Sequence, residues 1–142
     1  EIASCLVGSE MCIRDRPQAV KQALDAGVPL ERLTLSSDGN GSMPKFNENN
    51  ELIGLTAAAP RYLYEEMLSI VKAGVLPFDK ALQLITCNVA DALKLEDKGR
   101  IAVGKDADLI VWNDDLTLNK VFARGRLMVD EGQAVVKGTF EN

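Results

Sequence analysis

Leu33-Thr34-Leu35-Ser36-Ser37-Asp38-Gly39-Asn40-Gly41-Ser42 is the stretch on which the reading of this chain turns. A short apolar run gives way to two serines and an aspartate, and two glycines free the backbone just beyond. An aspartate at the C-terminal mouth of a strand is where a barrel enzyme presents a reactive carboxylate. Asp38 can equally be a turn residue, because Asp-Gly and Asn-Gly are common turn dipeptides. A reactive carboxylate of this kind ordinarily works beside metal ions held by imidazoles, and the 142 residues contain no histidine. The expectation is the tail of an enzyme whose metal-binding part lies outside this sequence.

On the N-terminal side, Pro17 to Ala26 reads as a helix. Ala19, Val20, Ala23 and Leu24 recur at helical spacing, Pro17 suits a first turn and Gly27 supplies a stop. Pro29 then leads into a strand over Arg32–Ser36. Helix, short loop and strand make one step of an α/β layer. On the C-terminal side, Asp38 to Thr56 is rich in Gly, Asn and Pro, has no steady period and reads as a functional loop. A helix follows over Pro60–Ala73, with Leu63, Met67, Ile70 and Val71 as its core stripe and Gly74 as its end. Pro77 opens another through Ile85, and Asn88 is read as the cap of a short helix over Val89–Leu93.

The pattern changes after Leu95, where glycines punctuate short segments rich in Val, Ile and Leu. Asp108-Leu109-Ile110-Val111-Trp112 reads as a strand buried on both faces, with Trp112 an anchor in the core or between domains. Strands over Lys120–Ala123, Arg126–Val129 and Ala134–Lys137 follow, with Asp130-Glu131-Gly132-Gln133 as a hairpin turn. The two carboxylates of Gly104-Lys105-Asp106-Ala107-Asp108 suggest a metal site, but turn chemistry with nearby backbone amides is the favoured reading. The domains expected are thus a segment 1–16 foreign to the fold, an α/β part over 17–95 and a β part over 96–142. Within the first, Val7 to Arg16 resembles a translation of sequencing-adapter read-through and lacks the order of a signal peptide.

Composition narrows the partners. A net charge of −5 argues against nucleic acid and against an anionic membrane surface. No apolar run reaches the roughly 20 residues that span a bilayer. Cys5, Cys12 and Cys87 lack a CxxC spacing and fit reduced thiols in a cytoplasmic protein. Ser36, Ser37 and Ser42 have no histidine to activate them, and no spacing supports Lys21 or Lys45 as a base. The Gly-Asn-Gly-Ser stretch lacks the Gly-Lys-Ser/Thr ending of a phosphate loop.

Ser36-Ser37-Asp38-Gly39-Asn40-Gly41-Ser42, the Gly99–Trp112 segment and the ending Val136-Lys137-Gly138-Thr139-Phe140-Glu141 resemble the C-terminal third of bacterial isoaspartyl (β-aspartyl) dipeptidases. The resemblance runs from about Pro17 to Asn142. Gly-Lys-Asp-Ala-Asp-Leu-Ile-Val is shared broadly across the amidohydrolase superfamily, whereas the serine-aspartate loop and the tail are more specific. The fold implied is an α/β one: the last βα unit of a metal-dependent (β/α)8 barrel, followed by strands of a small β-sandwich. The resemblance also implies a binuclear zinc centre held by histidines and a carboxylated lysine, β-aspartyl dipeptides as small-molecule substrates, and a homo-oligomer in the full-length protein. It makes Asp38 a metal-touching carboxylate that carries a proton from the bridging water to the leaving amine. Ser42 matches a substrate-contacting serine. With the histidine ligands absent, the fragment itself is expected to be inactive and free of zinc. The alternatives are another amidohydrolase, deacetylase-like or dihydroorotase-like, and a non-catalytic α/β interaction module.

Overall fold

In the computed structural model the described residues are 16–37, 39, 41–49, 51–57 and 59–138. Residues 1–15 of the segment read as foreign lie outside them, and Arg16 opens the first helix. The chain divides into two compact units between Ala92 and Leu93.

The first unit is mainly helical. Helix α1 spans Arg16–Asp25 and turns Val20 and Ala23 inward. It ends at Gly27, whose φ of +84° suits a residue without a Cβ, and the Val28 amide closes back on the Ala23 carbonyl at 3.0 Å. Helix α2, Tyr62–Lys72, buries Met67 and Ile70 completely and ends at Gly74 with φ +69°. Helix α3, Phe78–Gln83, presents Ala81, and Leu84 just beyond it is also fully buried. These residues and Leu33 form one apolar core. Each fully buried Met, Ile or Leu contributes roughly 1.5–3 kcal/mol through water exclusion. Helix α4, Cys87–Ala92, completes the unit.

Three expectations need correction here. The run over Arg32–Ser36 is not a laddered strand: a 3-10 turn covers Leu30–Arg32 and residues 33–37 follow without strand pairing. A strand is a property of a pair, and among the described residues no other strand lies beside this one. The Leu35 amide instead donates to the Leu84 carbonyl at 3.0 Å. Second, the stretch read as a loop contains a hairpin, β1 (Ser42–Phe46) antiparallel to β2 (Leu52–Ala57), with a register shift between Lys45 and Phe46. Its connection is organised by Asn47, whose Oδ1 accepts from the amides of Asn49 and Glu51, both at 2.9 Å. Third, Asn88 does not precede a helix as a cap; it lies within α4 and bonds elsewhere.

The second unit carries a four-stranded antiparallel meander: β3 (Leu109–Trp112), β4 (Leu118–Ala123), β5 (Arg126–Asp130) and β6 (Gln133–Ala134), in that spatial order. Two tight hairpins join the last three strands. Arg124 and Gly125 (φ +50° and +75°), then Glu131 and Gly132 (φ +49° and +76°), occupy the central positions. Positive φ at both centres is the turn geometry that matches strand twist. The reading of β3 as buried on both faces is overturned: among the described residues it is an edge strand, with Ile110 at 42% and Val111 at 45% exposure. An apolar run shows what a strand could bury, not what covers it.

Candidate functional site

Asp38, the candidate proton carrier, lies outside the described residues, and so does Asn40. Its neighbours are placed. Ser36 is exposed and Ser37 half-buried, and the Gly39 amide donates to Ser37 Oγ at 3.2 Å. That local bond ties up an Oγ lone pair in turn formation rather than nucleophilic chemistry. Ser42 opens β1, is exposed, and pairs with Ala57 across the hairpin. The candidate loop thus runs from the extended segment 33–37 to the first residue of the hairpin. Of the two lysines considered as bases, Lys45 is exposed within β1 and Lys21 forms an ion pair with Asp25 on the surface of α1.

Besides Leu33 in the core and the Leu35–Leu84 backbone bond, Asn88 holds the start of the segment leading into this loop. Its Nδ2 donates to the Leu30 carbonyl at 2.7 Å and the Leu33 carbonyl at 2.9 Å, bracketing the 3-10 turn. Among the described residues it is the one buried polar side chain, at 3% exposure. The sequence reading missed this role because an asparagine beside a short helix looks like a cap, and its partners lie 55 and 58 residues upstream.

The described residues do not supply a zinc centre. The chain has no histidine, and no group of three or more His, Cys, Asp or Glu among the described residues could hold a metal ion. Asp106 and Asp108 are committed elsewhere. Lys98 pairs with Asp106 at 2.7 Å and with Asp108, and Arg124 Nε lies 3.2 Å from Asp106. The Arg124 amide donates to Asp108 Oδ1 at 2.7 Å, and the Gly125 amide to the Ala107 carbonyl at 2.9 Å. The turn-chemistry reading therefore needs amending: these carboxylates latch the β4–β5 turn from a distance, with a lysine between them. The hydrogen bond from Lys98 holds both acids below the usual aspartate value, and both acids raise Lys98. Asp115 is likewise lowered, by the hydroxyl and amide of Thr117 in the β3–β4 connection. Trp112 is half-buried at the end of β3.

Comparison with known proteins gives these features a frame. The model of the Amidohydrolase family matches residues 2–132, and the chain belongs to that family. The β-aspartyl dipeptidase of Fervidobacterium islandicum AW-1, in complex with β-Asp-Leu dipeptide, matches with a TM-score of 0.71 and 31% identity, over 87% of this chain and 32% of that one. The imidazolonepropionase of Anaeromyxobacter sp. (strain K) is 33% identical over 111 residues, 78% of this chain and 21% of its own length. Adenine deaminase 1 of Carboxydothermus hydrogenoformans is 28% identical over 104 residues, 72% and 17% respectively. The chain thus spans about a fifth of the curated relatives it matches. The expected architecture, a barrel portion followed by further strands, holds: the helices and core of the first unit and the meander of the second are a small α/β piece of an amidohydrolase.

Proposed function

We propose that this chain forms the C-terminal part of a zinc-dependent isoaspartyl dipeptidase that hydrolyses β-aspartyl dipeptides, with Asp38 as proton carrier and Ser42 as a substrate contact. Residues 17–95 belong in this reading to the barrel and 96–142 to the sandwich of a cytoplasmic, homo-oligomeric enzyme. The observation that carries it is the likeness in fold and sequence to a dipeptidase bound to β-Asp-Leu. The serine-aspartate loop on which the resemblance rests stands between the clamped segment and the hairpin. In hydrolysis of an amide, a carboxylate can accept a proton from the attacking water and return it to the departing amine. In this reading zinc would be held by Asp38 together with histidines and a carboxylated lysine outside this sequence; the described side chains alone do not make a site for it.

The likeness to an imidazolonepropionase and to an adenine deaminase favours a second reading, an amidohydrolase acting on another substrate class. A substrate panel on the full-length zinc-loaded enzyme carrying this sequence separates the two. β-Asp-Leu should be cleaved in preference to N-acetylated sugars, cyclic amides and adenine; preference for one of the latter would replace the first reading by the second. Ser42→Ala should raise KM for β-Asp-Leu about fivefold, the equivalent of about 1 kcal/mol for one lost hydrogen bond.

A further inference from the structure

We infer that Leu55 is a specificity-determining residue that receives the apolar side chain of the amino acid released from the dipeptide, an inference that rests on the reading of Ser42 above. The register of the hairpin carries it. Ser42 pairs with Ala57, and the next pair on the same face, two residues along, is Pro44 with Leu55. Phe46 and Leu52, paired beyond the register shift, continue the apolar run. The same register puts Lys45, Gly54 and Thr56 on the opposite face. The ribbon is therefore two-sided, and its apolar side is the one that begins at Ser42. Of Phe46, Leu52 and Leu55, Leu55 is the most open, at 71% exposure, beside a half-buried Pro44. A leucine so placed gains from any apolar group laid against it. Size and polarity choose the occupant. Two residues along a strand is about 7 Å, the span of an extended dipeptide. In β-Asp-Leu, the ligand of the similar dipeptidase, the aspartyl half is charged and the leucyl half apolar. With the Ser42 hydroxyl on the polar half, the leucyl side chain reaches Leu55.

Selectivity between β-Asp-Leu and β-Asp-Gly, which lacks the side chain, tests this on the full-length zinc-loaded enzyme carrying this sequence. The wild type should favour β-Asp-Leu in kcat/KM. Leu55→Ala should cut that preference about 5-fold, since an open apolar contact discriminates less than a closed pocket. Leu55→Lys should turn the preference toward β-Asp-Glu, whose released residue is anionic. Thr56→Ala, on the opposite face, should leave the preference between β-Asp-Leu and β-Asp-Gly where it was. Ser42→Ala should weaken both of these dipeptides alike. A preference that either Leu55 variant leaves unmoved, or that Thr56→Ala moves as far, overturns this inference and leaves the dipeptidase reading standing. An unchanged KM in Ser42→Ala removes the contact from which Leu55 is placed and overturns the inference as well. A wild type that cleaves neither dipeptide overturns the dipeptidase reading and this inference with it.

Discussion

Asn88 and Gly132 show how single residues carry the two units. Removing the Asn88 amide takes a buried donor from the Leu33 carbonyl and leaves the Leu30 carbonyl with the Leu33 amide alone. Asn88→Ala should therefore destabilise the chain by about 1–3 kcal/mol in chemical denaturation. Asn88→Asp should be worse, since a carboxylate would face two carbonyl oxygens. A substitution within ±0.5 kcal/mol of wild type would show that the clamp is dispensable to the fold. Gly125 and Gly132 occupy equivalent turn positions with nearly the same φ. A Cβ at Gly132 would meet the Leu118 carbonyl at 3.2 Å, whereas at Gly125 the nearest atom is Ala107 Cβ at 4.0 Å. Both alanine variants incur the left-handed penalty of roughly 1–2 kcal/mol. Only Gly132→Ala adds a backbone contact, so it should melt at the lower temperature; the reverse order would contradict the turn geometry.

Among elements, those that carry their own stop signals were legible. Helices α1, α2 and α3 lie within two residues of the bounds that Pro17, Gly27, Gly74, Pro77 and the apolar period imply. The β1–β2 hairpin was not legible: Pro44, Gly54 and the asparagines of its turn break the alternation, and every residue of β2 is exposed, so burial imposed no pattern on it. Segment 33–37 failed the other way, since its apolar composition suits a strand but pairing depends on a neighbour. The candidate site was legible only as a motif, through Ser36 to Ser42; the clamp that leads into it depends on contacts made more than fifty residues away. Hydrogen exchange should order these elements. The Leu35 amide, bonded to Leu84 and adjoining the core, should exchange more slowly than the amides of the exposed hairpin, because a two-stranded ribbon is marginal in water. Faster exchange at Leu35 than in β2 would contradict the anchoring of this segment.

The cluster latching the β4–β5 turn makes a pH prediction at the same scale. Asp106 and Asp108 lie below their ordinary value of 3.8 when folded. Their stabilisation is complete above that value and is lost as pH falls through the depressed values. Lys98 lies above 10.5, so its share is complete below 10.5 and is lost as pH rises through the raised value. Thermal melts should fall at both extremes, and Asp106→Asn or Asp108→Asn should flatten the acid limb. The groups are solvent-accessible, so about 1 M salt should shrink the effect. An acid limb unchanged by both substitutions would remove the latch from the account.

For the whole molecule, family membership and the two-unit division are established, and the proposed reaction turns on one carboxylate, Asp38. The chain supplies that carboxylate and the framework leading to it, while the described residues supply no metal site. Among the described residues, no helix is long and apolar enough to cross a membrane. The decisive measurement is turnover of β-Asp-Leu by the full-length zinc-loaded enzyme carrying this sequence, comparing wild type with Asp38→Asn at equal zinc content. The account predicts cleavage by the wild type and a loss on the order of 10²-fold or more in kcat for the variant, the range for a general acid–base group. Near-full turnover by Asp38→Asn would contradict it.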